Sequence, residues 1–120
     1  MITNFEEITA ELTDEELDLI PLLIAGFKTH YVANPIKAPE IVELMNTYLI
    51  SNGIGIRLNP ARLRKCCNYI RSNSLIPLIA TSKGYYISYD KVVIESQINS
   101  LIERSNSIKR SAEGIAKFLL

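Results

Sequence analysis

The segment NPARLRKCCNYIRS, residues 59–72, carries the clearest fold signal in the chain. Asn59 followed by Pro60 is typical of a helix start, because an Asn side chain caps the first turn and proline fits the first helical position. The apolar residues that follow at the helical period are Leu63, Cys66, Cys67 and Ile70. The pattern predicts a helix that buries this side, with one cysteine in the core and the other at its edge.

The other side of this helix is basic or neutral. It presents Ala61, Lys65, Asn68 and Ser72, flanked by Arg62 and Tyr69 on one edge and by Arg64 and Arg71 on the other. From Arg57 to Lys83 the chain has six basic residues and no Asp or Glu. A concentration of positive potential attracts polyanions, and nucleic acid is the commonest of them.

The negative charge gathers at the other end of the chain. The 120 residues include 13 Lys and Arg and 13 Asp and Glu, so the formal net charge is zero. The first twenty positions contain acidic residues but no Lys or Arg. We interpret residues 1–12 as an acidic N-terminal segment that is either solvated or placed to screen the basic helix or bind a basic partner.

The first helix is predicted at residues 14–31. Thr13 and Glu16 match a capping box, in which each side chain bonds the backbone amide of the other residue. Apolar residues then recur at spacings of three and four as far as Tyr31. Pro21 lies inside this pattern, and we expect it to kink the helix or split it in two.

A second helix is predicted from Pro39 to about Ile50. A very short extended piece at residues 36–37 precedes it, and proline again fits the first helical position. The glycine that follows in Ser-Asn-Gly marks its end. The Gly-Ile-Gly-Ile alternation at residues 53–56 is compatible with an extra strand in the link to the third helix.

A β-hairpin is predicted after the basic helix. Residues 75–80 and 85–89 are rich in strand-forming side chains, and the polar connection Thr-Ser-Lys-Gly at 81–84 separates them. A short connection that ends in glycine between two such runs is typical of a hairpin.

The C-terminal part of the chain, residues 92–119, is predicted to form one long helix. Its apolar seam repeats at alternating spacings of four and three and consists of Ile94, Ile98, Leu101, Ser105, Ile108, Ala112, Ile115 and Leu119. The seam is longer than a small core needs, so pairing of two copies is the favoured interpretation. The alternative is that the helix packs along the first helix of its own subunit.

Catalysis, metals and cofactors receive no support from the residues. One histidine and two adjacent cysteines provide neither a nucleophile with its base nor metal-ligand spacing. No glycine-rich phosphate loop is present, so we expect no enzyme, no metal and no cofactor. The acidic N-terminus lacks the basic start of a signal peptide, and no apolar run spans a bilayer, which favours a cytoplasmic protein.

The order of elements is helix, short strand, helix, turn, helix and hairpin, and it resembles that of the winged helix-turn-helix family. Residues 36–41 resemble the strand and second helix of the family, residues 60–71 its recognition helix, and residues 82–86 its wing. The match covers about residues 13–90 and looks most like the small winged-helix proteins of phages, prophages and mobile elements. One departure is the link at residues 50–58, which is longer than a tight helix-turn-helix allows.

The resemblance implies an α+β fold and contact with double-stranded DNA. The implied DNA contacts are Asn59, Ala61, Arg62, Arg64, Lys65, Asn68, Tyr69, Arg71, Ser72 and Lys83. Of these, Ala61, Arg62, Lys65 and Asn68 would meet base edges, because the N-terminal residues of a recognition helix do so. Arg64, Arg71 and Ser72 would contact phosphates, and Lys83 would reach the backbone or the minor groove from the wing.

Two functions follow as expectations, with residues 13–90 as the winged-helix domain and residues 91–120 as a dimerisation helix. The first is a homodimeric DNA-binding regulator of transcription or replication in a phage or mobile element. The alternative is a winged-helix module that binds protein within a replication or packaging assembly. A homodimer and double-stranded DNA are the expected partners, without a membrane or a small-molecule substrate.

Overall fold

The computed structural model describes residues 11–119 and has an α+β architecture, as predicted. The helices are α1 (Asp14–Phe27), α2 (Ala38–Ser51), α3 (Pro60–Ser72) and α4 (Lys91–Ala116), and the strands are β1 (Leu78–Thr81) and β2 (Gly84–Ile87). Contacts divide the chain into two compact units, one that ends at Ser88 and one that begins at Tyr89.

The start of α1 is the predicted capping box. The Thr13 hydroxyl accepts a hydrogen bond from the Glu16 amide at 3.1 Å, and Glu16 Oε1 accepts one from the Thr13 amide at 3.0 Å. Pro21 lies inside the continuous helix on an exposed position, so the predicted split is wrong. A proline ring facing solvent removes one backbone hydrogen bond without forcing a break.

The end of α1 comes four residues earlier than predicted, at Phe27. The Thr29 amide and hydroxyl both donate to the carbonyl of Gly26, at 3.2 Å and 2.8 Å, and this turn closes the helix. Tyr31, whose spacing extended the predicted helix, is 48% exposed. The helical spacing of apolar residues therefore continues in the sequence beyond Phe27, where local hydrogen bonds end the helix.

The link between α2 and α3 contains no strand, so the extra strand suggested by its glycine–isoleucine alternation is wrong. The Asn46 side chain accepts from the Leu58 amide at 2.7 Å and donates to the Leu58 carbonyl at 2.9 Å. Leu58 itself is buried in the core. Because one α2 amide satisfies both backbone groups of this residue, the link is fixed without a sheet partner.

The hairpin is shorter and tighter than predicted. Strands β1 and β2 pair antiparallel with Thr81 opposite Gly84, so only Ser82 and Lys83 form the connection. On the other edge of β2, Ile36 forms an isolated antiparallel bridge with Tyr85, with hydrogen bonds of 2.9 Å and 2.7 Å. The very short extended piece predicted around Ile36 is thereby confirmed. It pairs with β2 at a single residue, on the edge opposite β1.

Gly84 is the residue that permits this close approach. Its φ of +125° lies in a region that side chains rarely adopt, and a Cβ atom there would lie 2.6 Å from the Ile36 carbonyl oxygen. Only glycine fits both conditions, which explains why the hairpin connection ends in this residue.

The core of the first unit is formed by α1, α2, α3 and the hairpin together. Its buried residues are Leu19, Ile20, Leu23, Phe27, Ile36, Ile41, Leu49, Leu58, Leu63, Cys66, Cys67, Ile70, Ile76, Leu78 and Ile87. Both cysteines are fully buried, so the expectation that one would lie at the edge is wrong. Burial raises the pKa of Cys66 to about 11 and that of Cys67 to about 12, so both remain protonated thiols at neutral pH.

The second unit consists of α4 and a short 3₁₀ turn at Lys117–Leu119. The Asp90 side chain caps α4 by accepting from the Val92 amide at 2.9 Å. The helix has 26 residues, which corresponds to a length of about 39 Å. It ends at Ala116, three residues before the predicted end, and none of its residues is buried. Within its apolar seam, Ile94 and Leu101 are partly buried and the other residues are exposed.

Candidate nucleic-acid interface

Helix α3 is anchored by its apolar side and exposes part of the other. Leu63, Cys66, Cys67 and Ile70 are each at most 1% exposed. On the opposite side Ala61, Arg64 and Ser72 are exposed and Asn68 is partly exposed. Arg64 has no ion-pair partner among residues 11–119. The helix thus presents one unpaired guanidinium and two small polar groups to its surroundings.

Arg62 and Lys65, the two cations predicted to read bases, are paired with an acid that sequence reasoning placed in the capping box. Arg62 Nε donates to Glu16 Oε2 at 2.9 Å, and Lys65 Nζ donates to Glu16 Oε1 at 2.7 Å. The Glu16 side chain is only 5% exposed, whereas those of Arg62 and Lys65 are 28% and 27% exposed. The basic segment therefore has a counter-charge, supplied by α1.

The Glu16 carboxylate is held strongly in its charged form. Burial by itself raises its pKa, because it disfavours the charged group. Hydrogen bonds from Lys65, the Thr13 backbone and Arg62 outweigh this effect and lower the pKa of Glu16 from 4.5 to about 2. Glu16 therefore carries its charge at any physiological pH and couples the start of α1 to the start of α3.

A second set of bonds fixes Arg62 and the link before α3. Arg62 Nη1 donates to the Arg57 carbonyl at 2.9 Å, and the Asn59 side chain caps α3 by accepting from the Arg62 amide at 2.8 Å. Arg57 Nη1 in turn donates to the carbonyls of Ile54 and Ile56, at 2.6 Å and 2.8 Å. Asn59 thus serves as the predicted helix cap, and Arg57 and Arg62 stabilise the loop.

The remaining predicted contacts on α3 lie where it meets the core. Tyr69 is partly buried and packs against the core, which leaves only part of its ring accessible. Arg71 lies beside the Cys67 thiol. Its Nε is buried and has no hydrogen-bond partner within residues 11–119, so the group retains unused donor capacity.

Lys83 lies at the tip of the β1–β2 connection, as predicted, and it is exposed. Its backbone amide donates to the Thr81 hydroxyl at 3.1 Å, which fixes the turn. The backbone of the tip is thus held by a local hydrogen bond, while the lysine side chain is exposed to solvent.

Two surface depressions border these elements. One, of about 550 Å³, is lined by Glu11, Leu12, Leu17, Lys65, Tyr69, Ser72 and Asn73. It places the last residues of the acidic N-terminal segment beside α3, while residues 1–10 lie outside the described part. The other, of about 370 Å³, is an apolar groove between α1 and α2 whose lining includes Leu22, Phe27, Leu44, Met45 and Tyr48.

Between Glu11 and Leu119, no group of three or more His, Cys, Asp or Glu side chains is arranged to hold a metal ion. Over the same residues, no helix combines the length and apolar character needed to cross a membrane.

Comparison of the chain with protein-family models, with curated proteins and with solved structures gives no match.

Sequence reasoning missed two residues that determine the geometry of α3, Glu16 and Asn46. A signal for the first was available: Arg62 and Lys65 are three residues apart, so they are neighbours on the helix surface and can share one carboxylate. For Asn46, the signal was a polar residue between the apolar positions of α2. Neither signal identifies the partner, which lies 46 residues from Arg62 in one case and 12 residues from Leu58 in the other.

Proposed function

We propose that the chain is a double-stranded DNA-binding protein with a winged helix-turn-helix arrangement, in which α3 is the recognition helix. The observation that carries the proposal is the placement of α3, which buries its apolar side completely and leaves Arg64, Asn68 and Ser72 accessible. The bridge between Ile36 and Tyr85 supports the same interpretation, because it joins a short strand before α2 to the hairpin.

Docking follows from the dimensions of B-DNA. The major groove is about 12 Å wide and accepts one α-helix, whose exposed side then meets the base edges. Arg64 can donate to guanine O6 and N7, and Asn68 can pair with adenine in a bidentate manner. The exposed Ser72 and the partly exposed Arg71 are suited to phosphate oxygens, which position the helix without reading sequence.

The hairpin acts as the wing in this proposal. A two-residue connection keeps its tip narrow, and the exposed Lys83 side chain can reach the DNA backbone or the adjacent minor groove. The local bond from the Lys83 amide to Thr81 pre-orders the tip, so little conformational entropy is lost on binding.

Dimerisation through α4 completes the proposal. The seam residues Ile98, Ile108 and Ile115 are 48%, 40% and 71% exposed, so most of the apolar stripe beyond Leu101 is exposed. Soluble monomers rarely expose large contiguous apolar patches, and a heptad seam is the pattern by which two helices cover each other. Two recognition helices would then address half-sites about one helical turn apart.

The biological role within this proposal is regulation of transcription or replication in a phage or mobile element, in the cytoplasm. Its support is the resemblance of residues 36–41, 60–71 and 82–86 to the small winged-helix proteins of such elements.

Fluorescence anisotropy with a labelled random-sequence duplex tests the proposal. We expect binding whose affinity falls steeply between 50 mM and 200 mM salt, by about 10³ or more if six phosphates are contacted. A duplex that fails to bind at the lower salt concentration would contradict the proposal. The same titration with single-stranded DNA of equal length shows whether the duplex is preferred.

The second candidate is a winged-helix module that binds protein. The observation that favours it is the apolar groove between α1 and α2, where Leu44 and Tyr48 are 54% and 48% exposed. The salt titration separates the two candidates, because this one predicts no binding to duplex DNA at either salt concentration.

A further inference from the structure

We propose that Glu16 is a positioning residue that keeps Arg62 and Lys65 away from DNA phosphates and thereby limits non-specific binding. The inference rests on the proposed function, because it concerns the way in which α3 meets DNA. It assigns base reading to Arg64 and Asn68 and gives Arg62 and Lys65 a structural task.

The geometry makes Glu16 difficult to displace. Its two carboxylate oxygens accept three hydrogen bonds, from the Thr13 amide, Arg62 Nε and Lys65 Nζ. The Thr13 side chain meanwhile holds the backbone amide of Glu16. The two bonds with Thr13 at the start of α1 thus hold the carboxylate in the orientation in which it contacts α3.

A phosphate that recruited Lys65 or Arg62 would have to remove a counter-ion from this carboxylate. Glu16 is 4% exposed, so it would become a buried charge with fewer partners, which is strongly unfavourable. Arg62 would also give up its bond to the Arg57 carbonyl, which fixes the loop before α3. Arg64 is exposed and has no ion-pair partner within residues 11–119, so it can bind DNA without leaving a carboxylate unpaired.

Neutralising Glu16 tests the inference directly. In Glu16→Gln the amide keeps the shape of the side chain but no longer attracts the two cations. We expect tighter binding to random-sequence duplex and a steeper dependence of log K on log salt, by about 0.9 for each cation that reaches a phosphate. The double variant Glu16→Gln with Lys65→Gln should return the slope towards the wild-type value by about 0.9.

Glu15→Gln is the matched control. Glu15 is the neighbouring residue in the first turn of α1, it is exposed, and its substitution changes the net charge by the same amount. If both single variants change affinity and slope equally, the effect is one of net charge and the inference is overturned. Weaker binding by Glu16→Gln to all duplexes would also overturn it, since that result indicates a purely structural role.

A measurement on the wild-type chain keeps the inference testable if Glu16→Gln does not fold. The Nε–H resonances of the arginines can be followed in ¹⁵N-labelled protein during titration with the duplex. We expect the Arg64 resonance to shift and that of Arg62 to stay in place. A shift of Arg62 as large as that of Arg64 would overturn the inference. Failure of the proposed function looks different, because wild-type protein and both single variants would then leave the duplex unbound.

Discussion

The Nζ atom of Lys65 lies 2.7 Å from Oε1 of Glu16, a residue 49 positions earlier in the chain. Together with the 2.9 Å bond from Arg62, this contact joins the first turn of α1 to the first two turns of α3. The orientation of the candidate recognition helix therefore depends on an ion pair at one end as well as on its apolar side.

Stability should depend on pH through Glu16. The pKa of this carboxyl is about 2 in the folded chain against 4.5 for the free group, so the unfolded chain binds the proton more tightly. The stabilisation is therefore present above pH 4.5 and is lost as the pH falls towards 2. Urea unfolding between pH 6 and pH 2.5 should show a steeper loss of stability for the wild type than for Glu16→Gln. Parallel curves for the two proteins would show that the ion pair contributes nothing.

Gly84→Ala should destabilise the hairpin. The added Cβ would lie 2.6 Å from the Ile36 carbonyl oxygen at a backbone angle that alanine rarely adopts, and we expect a loss of about 1–3 kcal/mol in the free energy of unfolding. Gly55→Ala is the control, because its Cβ would have no neighbour within 4 Å, and we expect a change of about 0.5 kcal/mol or less. Equal effects of the two substitutions in thermal unfolding would contradict the described bridge between Ile36 and Tyr85.

Arg64→Ala should weaken DNA binding without affecting the fold. The side chain is exposed on α3 and has no ion-pair partner in the described part of the chain, so its removal leaves the core intact. If Arg64 reads a base in the preferred site, binding to that site should weaken by about 1–3 kcal/mol. Lys28→Ala is the control, because Lys28 is an exposed cation at the other end of α1. Equal losses of affinity in the two variants would show that Arg64 contributes only through the net charge of the protein and makes no specific contact.

Ile108→Asp should convert a dimer into a monomer. Ile108 lies on the heptad seam of α4, and a carboxylate there would be buried without a partner between two paired helices. Ser107→Asp introduces the same charge on the outer side of the helix and should leave the dimer intact. Sedimentation velocity at tens of micromolar distinguishes the two variants. A wild-type chain that sediments as a monomer at this concentration would remove the dimer from the proposal.

The parts of the fold that follow from local chemistry were predictable from the sequence. The start of α3 at Asn59 and Pro60 depends on a cap and a ring within a few residues, and both occupy the predicted positions. The end of α1 was misjudged because the apolar spacing continues to Tyr31, whereas the helix is ended by hydrogen bonds to the Gly26 carbonyl. Apolar spacing shows which residues are compatible with a helix. It does not show where other hydrogen bonds to the backbone end that helix.

The parts that depend on distant pairs were not predictable. The link before α3 resembles a strand by its alternation, but the Asn46 side chain satisfies the Leu58 backbone and no sheet forms there. The ion pair of Glu16 joins residues that only the packing of α1 against α3 brings together. For the candidate site, the sequence correctly predicted a helix with one buried apolar side and one basic side. It did not show which cations of this helix form ion pairs, because their partner Glu16 is distant in the chain.

The most direct test of DNA binding through α3 and the hairpin is a map of the contact surface. Two-dimensional ¹H–¹⁵N spectra of the labelled chain, recorded during titration with an unlabelled duplex, report which backbone amides sense the DNA. We expect the perturbed amides to cluster in residues 60–72 and 81–84. Perturbations confined to the groove between α1 and α2, or an unchanged spectrum at saturating duplex, would contradict it.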